Sequence, residues 1–245
     1  MFPLYKYSCN FGISTFLFMA SCQFTWMFNG MRQFLVAAIM FSCTGLFLKN
    51  KTLLYIIIVC ILSTIHQSAL ILIPMYFIAK GEPWNKRTML FIGCIVLAMI
   101  FTSRFTNLLT DVVEQTDYAT SVNEFKNTDD GTSLIRILVE SIPIILAFIY
   151  RNRIKDKLTP IIKLSINMSL IASGLYIISN IAKSGVLLGR LPIYFSVYNL
   201  ILLPWLLKNI FEDREKNLIY YIMILCYFLF FYYQMVITWK GLGYG

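Results

Sequence analysis

The sequence predicts an all-helical, polytopic membrane bundle, and three observations lead there. Apolar residues make up 58% of the 245 residues and charged residues only 13%, against roughly 25% charged in an ordinary soluble domain. Apolar runs close to the ~20 residues that carry a helix across a bilayer follow one another almost end to end. The basic residues behind the net charge of +9 sit in the short connections between those runs. There the cytoplasmic preference of lysine and arginine accounts for them. No basic face with interleaved aromatics is left over, so nucleic acid is not an expected partner. The aromatic residues, 16% of the chain, read as mostly lipid-facing and interfacial, as in 227–233. Residues 1–245 form one membrane domain on this reading, with no separate soluble part.

The runs fall at 11–28, 33–48, 53–79, 88–102, 134–150, 161–182, 191–207 and 218–239. The first has no small-residue cleavage site and reads as a membrane helix, not a signal peptide. Arg151, Arg153, Lys155 and Lys157 make a tight basic loop that belongs in the cytoplasm. Lys49, Lys51, Lys80, Lys86, Arg87, Lys208, Arg214 and Lys216 fall on the same side, and Lys6 puts the N-terminus there too. The long connection 103–133 carries Asp111, Glu114, Asp117, Glu124, Asp129 and Asp130 against Arg104 and Lys126, and is expected outside.

The run 53–79 conflicts with this scheme if it is one helix. Its 27 residues would measure about 40 Å and would put Lys49 and Lys80 on opposite sides. The polar stretch Ser63-Thr64-Ile65-His66-Gln67-Ser68 interrupts it. The expectation is a re-entrant helical hairpin with its apex at His66, alongside about seven spans. Irregular backbone at membrane depth is tolerated where it is buried in protein or lines a wet cavity. One tilted helix that breaks the charge rule is the competing reading.

With this topology the polar residues near the membrane converge on the outer face. Phe28-Asn29-Gly30-Met31-Arg32-Gln33 interrupts two apolar runs, and Arg190 ends the connection 183–190. An arginine at membrane depth costs about 2.5–3.5 kcal/mol on insertion scales. Its planar fork matches phosphate oxygens, so Arg32 and Arg190 are candidate anion binders. Each has a plainer reading: Arg32 reaches the headgroups or closes a helix end, and Arg190 is an interfacial charge ahead of Pro192.

His66, the single histidine, is a candidate base or a hydrogen-bonded structural residue. Asp111, Glu114 and Asp117 recur at three-residue spacing. They are either one face of a short helix that could activate a hydroxyl or a solvated acidic loop. Glu140 stands four residues after Arg136, its simplest partner. The six cysteines, at 9, 22, 43, 60, 94 and 226, form no CxxC pair. With one histidine they suggest neither a metal set nor a disulfide framework, and no metal or cofactor is expected.

Three of these segments resemble those of EpsG-family polysaccharide polymerases. Asn29-Gly30-Met31-Arg32-Gln33 resembles the family's NG(I/M)RQ signature, and His66-Gln67-Ser68-Ala69-Leu70 its HxSAL segment. Arg190-Leu191-Pro192-Ile193-Tyr194-Phe195 resembles a later R-x-x-x-YF segment. The three stand in the family's order across most of 16–195. The resemblance implies a GT-C-like membrane glycosyltransferase of the Wzy type in the bacterial cytoplasmic membrane. Such an enzyme polymerises undecaprenyl-pyrophosphate-linked repeat units into exopolysaccharide, capsule or O-antigen at the outer face.

The residues carried over are Asn29, Arg32, Gln33, His66, Ser68, Arg190 and Tyr194. Arg32, His66 and Arg190 are expected to be catalytic. Asn29, Gln33, Ser68 and Tyr194 are expected to bind substrate, joined by Asp117 of the acidic loop. The expected partners are the lipid-linked glycan, the bilayer and other polysaccharide-assembly proteins. Family members carry more spans ahead of the first motif, so this chain is expected to be shortened at its N-terminus. Two other functions fit the same residue types. One is a lipid-linked glycan flippase or transporter, for which broken spans are also typical. The other is an outer-face glycan ligase or acyltransferase.

Overall fold

The computed structural model describes residues 1–101, 131–185 and 188–239. Every regular element among them is helical. In hydrocarbon no water is available for the backbone, so each segment must satisfy its own N–H and C=O groups. Among the described residues, two helices are long and apolar enough to cross a bilayer, or three if a bent pair is one span. The protein is a membrane protein.

Helix α1 (Phe2–Tyr7) leads to α2 (Phe11–Ala20), whose first turn is capped by Asn10 Oδ1 accepting from the Ile13 N–H. α3 (Gln23–Asn29) continues α2 at an angle of 49°. The bend lies at Cys22, fully buried with φ +62°, a conformation that side chains with a Cβ disfavour. Gly30 reverses the chain into α4 (Met31–Ser42) and α5 (Thr44–Leu48), which bring Gly45 beside the Tyr7 hydroxyl.

A second fold-back follows. α6 (Thr52–Ser63) and α7 (Leu72–Ala79) are joined through His66 and a 3-10 turn, Gln67–Ile71. Thr52 Oγ1 and Tyr76 Oη hydrogen-bond at 2.7 Å, and the Tyr55 and Tyr76 rings lie 4.8 Å apart. Along one straight helix Thr52 and Tyr76 would be about 36 Å apart. Their contact means that the segment turns back at His66 and does not run through as a single helix.

α8 (Lys86–Ile100) starts at Asn85, whose side chain accepts from the Arg87 and Thr88 N–H groups. After the connection come α9 (Leu134–Ile149), the short α10 (Arg151–Ile154) and α11 (Pro160–Ile181). α12 (Ile193–Ser196), α13 (Asn199–Ile210) and α14 (Asp213–Tyr232) complete the order, and α14 runs on as a π-helical stretch, Tyr233–Thr238.

α11 is the central stave and packs on α7, α8, α9, α12 and α13. Small residues permit this approach: a Cβ on Gly174 would run into Ile95 and Phe91 of α8. α14 packs on α2 and α13 and turns Leu218, Ile222, Leu225 and Leu229 outward.

The bundle has two unlike ends. At one, Lys163 pairs with Glu82, Arg153 with Glu212, and Asn167 Nδ2 donates to the Ala79 and Gly81 carbonyls. Lys80, Lys86, Arg87, Lys155 and Lys157 belong to the same connections. At the other, the Gly30 and His66 turns meet Arg190, and Thr132 Oγ1 donates to Ser179 Oγ. Connections with the same predicted sidedness therefore touch one another.

The helices are more broken than the sequence predicts. Runs 161–182 and 218–239 correspond to the two long helices α11 and α14. Run 11–28 bends at Cys22, 33–48 divides at Cys43, and 191–207 divides at Val197 and Tyr198. Hydropathy measures apolar content and is blind to such breaks, so among the described residues two or three long apolar spans stand beside several shorter apolar helices, against the expected seven or so.

Candidate functional site

The site assembles at the end away from the basic connections, from three turns. Gly30 separates Asn29, the last residue of α3, from Gln33 in the first turn of α4. Asn29 is exposed at the rim, whereas Gln33 is only 3% exposed. The tight turn ahead of Arg190 depends on glycine. Leu188 N–H and Gly189 N–H both donate to the Ser184 carbonyl, at 3.0 and 3.1 Å. A Cβ on Gly189 would stand 2.5 Å from the Gly185 carbonyl oxygen and 3.0 Å from Ser179 Oγ.

That turn delivers Arg190 to the first hairpin at two points. Arg190 Nη2 donates to Asn29 Oδ1 at 3.2 Å, and the Arg190 carbonyl accepts from Gln33 Nε2 at 3.0 Å. The second hairpin joins through Ser68. Its Oγ lies 2.7 Å from His66 Nδ1, 2.9 Å from Tyr194 Oη and 3.5 Å from Gln33 Nε2. Tyr194 is 4% exposed and forms the floor with Gln33, while His66, Ser68 and Arg190 are half-buried above them. An exposed rim thus leads down to hydrogen-bonded amide and hydroxyl groups, with a guanidinium and an imidazole between.

The imidazole lies in the connection between the half-helices. Burial, then the positive fields of Arg190 and Arg32, hold its pKa below the ordinary histidine value. His66 is thereby disposed to be neutral, with Nδ1 engaged by Ser68. Arg32 is exposed beside this group, and its field reaches His66.

Behind the site lies a ladder of aromatic and charged groups. The Arg190 guanidinium sits 5.8 Å from the Trp26 ring centroid, and Arg136 of α9 sits 5.4 Å from the same ring. Trp239 meets Trp26 edge-on at 5.7 Å, and Arg136 also faces the Tyr176 ring at 5.5 Å. Glu140 Oε2 accepts from Asn199 Nδ2 at 3.1 Å. Arg136 and Glu140 lie within each other's electrostatic reach, as the spacing predicts, and each has a further partner, Tyr176 for Arg136 and Asn199 for Glu140.

Of the residues singled out in the sequence, Asn29, Gln33, His66, Ser68, Arg190 and Tyr194 form one hydrogen-bonded group. Arg32 lies at its edge without joining those bonds. Asp117, with Asp111 and Glu114, lies outside the described residues. Sequence reasoning missed Trp26, which stands one turn before Asn29. An aromatic in an apolar run carries no sign of what it will face, and only folding brings residues 136 and 190 to it.

No curated protein and no solved structure matches the chain. A sequence model described as the EpsG family matches residues 1–241, nearly the whole length, and the chain belongs to the EpsG family.

Proposed function

We propose that this membrane protein is a multi-pass polysaccharide polymerase with its N-terminus in the cytoplasm. It joins repeat units carried on undecaprenyl pyrophosphate at the outer face of the bacterial cytoplasmic membrane. The observation that carries this reading is the bonded group of Asn29, Gln33, His66, Ser68, Arg190 and Tyr194, at the end opposite the basic connections. Family membership supports a role in polysaccharide assembly. The positive-inside rule makes the basic end cytoplasmic, so the site faces out, and the fold-back at His66 is a re-entrant hairpin.

In the proposed reaction a hydroxyl of the incoming unit attacks the anomeric carbon of the growing chain. A new carbon–oxygen bond forms, the bond to the diphosphate oxygen breaks, and the lipid diphosphate leaves with the electron pair. Arg190 and Arg32 stabilise the negative charge that collects on the leaving diphosphate. Preorganised donors of this kind are worth about 10²–10³ in rate. His66 hydrogen-bonds Ser68 Oγ through Nδ1, and in the tautomer protonated at Nδ1 it offers Nε2 to take the hydroxyl proton. Asn29, Gln33 and Tyr194 orient sugar and phosphate oxygens, and Asp117 binds the acceptor.

The test is complementation of a polymerase-deleted host that supplies the matching repeat unit. Glycan length is compared for the wild type, Arg32→Ala and His66→Ala at equal membrane levels. Long polymer from the wild type and single units from the variants are expected. Single units from the wild type contradict polymerisation, and repeat units held on the inner leaflet indicate a flippase.

A further inference from the structure

Arg136 is 6% exposed and occupies the first turn of α9, a 16-residue helix with no acidic residue in that turn. A helix N-terminus carries partial positive charge, and a buried guanidinium placed there adds a full one. Among the described residues, Arg136 Nε has no hydrogen-bond acceptor, and neither do Trp26 Nε1 or Arg190 Nε. Three buried donors around one indole are costly to leave unmatched. A single group that matched all three would have to be rich in acceptor oxygens.

The sign of the field narrows this to an anion. Both guanidinium carbons lie within 5.8 Å of the Trp26 centroid, and so within about 12 Å of each other. The nearby carboxylate, Glu140, sits one turn deeper within electrostatic reach of Arg136, with Oε2 bonded to Asn199 and Oε1 itself without a donor. It offsets one of the two positive charges and leaves a net cation at the ladder.

We propose that Arg136 is a third phosphate-binding arginine, which with Arg190 and Trp26 holds the diphosphate of a polyprenyl-linked substrate at the N-terminus of α9. This deepens the polymerase reading and rests on it for the identity of the lipid. Arg190 meets the group from the half-buried site, and Arg136 receives its inner oxygens. Arg136 binds the leaving group and takes no proton.

The experiment titrates purified, detergent-solubilised full chain with farnesyl diphosphate, and with farnesol as the uncharged control, following tryptophan fluorescence. Arg136→Gln is expected to weaken farnesyl diphosphate binding about tenfold to a hundredfold, with farnesol binding unchanged. Because Arg136→Gln leaves Glu140 without its nearest cation, Arg136→Gln/Glu140→Gln is measured alongside it. That pair removes both buried charges at nearly constant volume, and the same weakening is expected.

Wild-type indifference to the diphosphate, or affinity within twofold of wild type in both variants, overturns the proposal. The polymer assay separates the two readings. Arg136-dependent diphosphate binding without polymer from the wild type sinks the polymerase and leaves the binding site standing. Polymer from the wild type and from both variants alike sinks the third arginine and leaves the polymerase standing.

Discussion

The two ends of the bundle hold their charges in opposite ways. The basic end carries most of the cations, and its pairs are exposed: the Lys163 and Glu82 side chains are 31% and 68% accessible, and Arg153 and Glu212 50% and 81%. Such pairs contribute little, ~0–1 kcal/mol. The polar end has fewer cations among the described residues, and Arg190 there is bonded to an uncharged amide and lies over an indole. A guanidinium held by neutral groups keeps its charge available to a ligand, whereas a paired lysine does not. On the proposed reading, abundance of charge marks orientation in the membrane, and its setting marks the site.

The comparison breaks most sharply at Arg190. Arg190→Ala is expected to lower polymer yield by about 10²–10³-fold, with protein level unchanged on an immunoblot. Gly189→Ala tests whether the turn places that arginine. Its Cβ would press on the Gly185 carbonyl and Ser179 Oγ, and overpacking of this kind costs about 1–3 kcal/mol. Reduced polymer is expected, with partial recovery in Gly189→Ala/Ser179→Gly, which removes one of the two obstacles.

Acid sensitivity belongs to the same end. Burial and the two arginines lower the His66 pKa, so the neutral imidazole prevails at pH 7. It charges only as pH falls through a value below the usual ~6.5. The folded state disfavours that proton, so any stability tied to His66 is present above the unfolded pKa and lost as pH falls through the folded one. Polymerisation rate in membranes is expected to stay level near neutrality and to decline on acidification, and that acid limb is expected to be absent from the residual rate of His66→Gln.

Two changes away from the site complete the contrast. Gly174→Ala forces a methyl against Ile95 and Phe91 and is expected to lower the thermal unfolding temperature while leaving turnover per folded molecule intact. Lys163→Ala at the basic end is expected to shift stability by less than about 1 kcal/mol and to leave polymer length unchanged.

Much of the polar end was legible in the sequence, because its residues are anomalies there. An asparagine, an arginine and a glutamine between two apolar runs, and a histidine inside a third, are costly in hydrocarbon and stand out for that reason. The fold-back at His66 followed from charge bookkeeping on its flanks, and the Thr52–Tyr76 contact shows the chain turning there. The ladder behind the site was not legible. Trp26 and Tyr176 look like ordinary apolar-run residues, and Arg136 had Glu140 as an evident partner four residues on. The bend at Cys22 was equally hidden, since nothing in the composition of 11–28 distinguishes a straight helix from one turned by 49°.

The most direct test uses purified chain in proteoliposomes with a defined undecaprenyl-pyrophosphate-linked repeat unit, comparing wild type, Arg190→Gln and Lys163→Gln by product length. Long products from wild type and Lys163→Gln, with little beyond single units from Arg190→Gln, are the predicted result. Equal product lengths from all three, or loss of polymer in Lys163→Gln alone, would contradict the placement of the chemistry at the polar end.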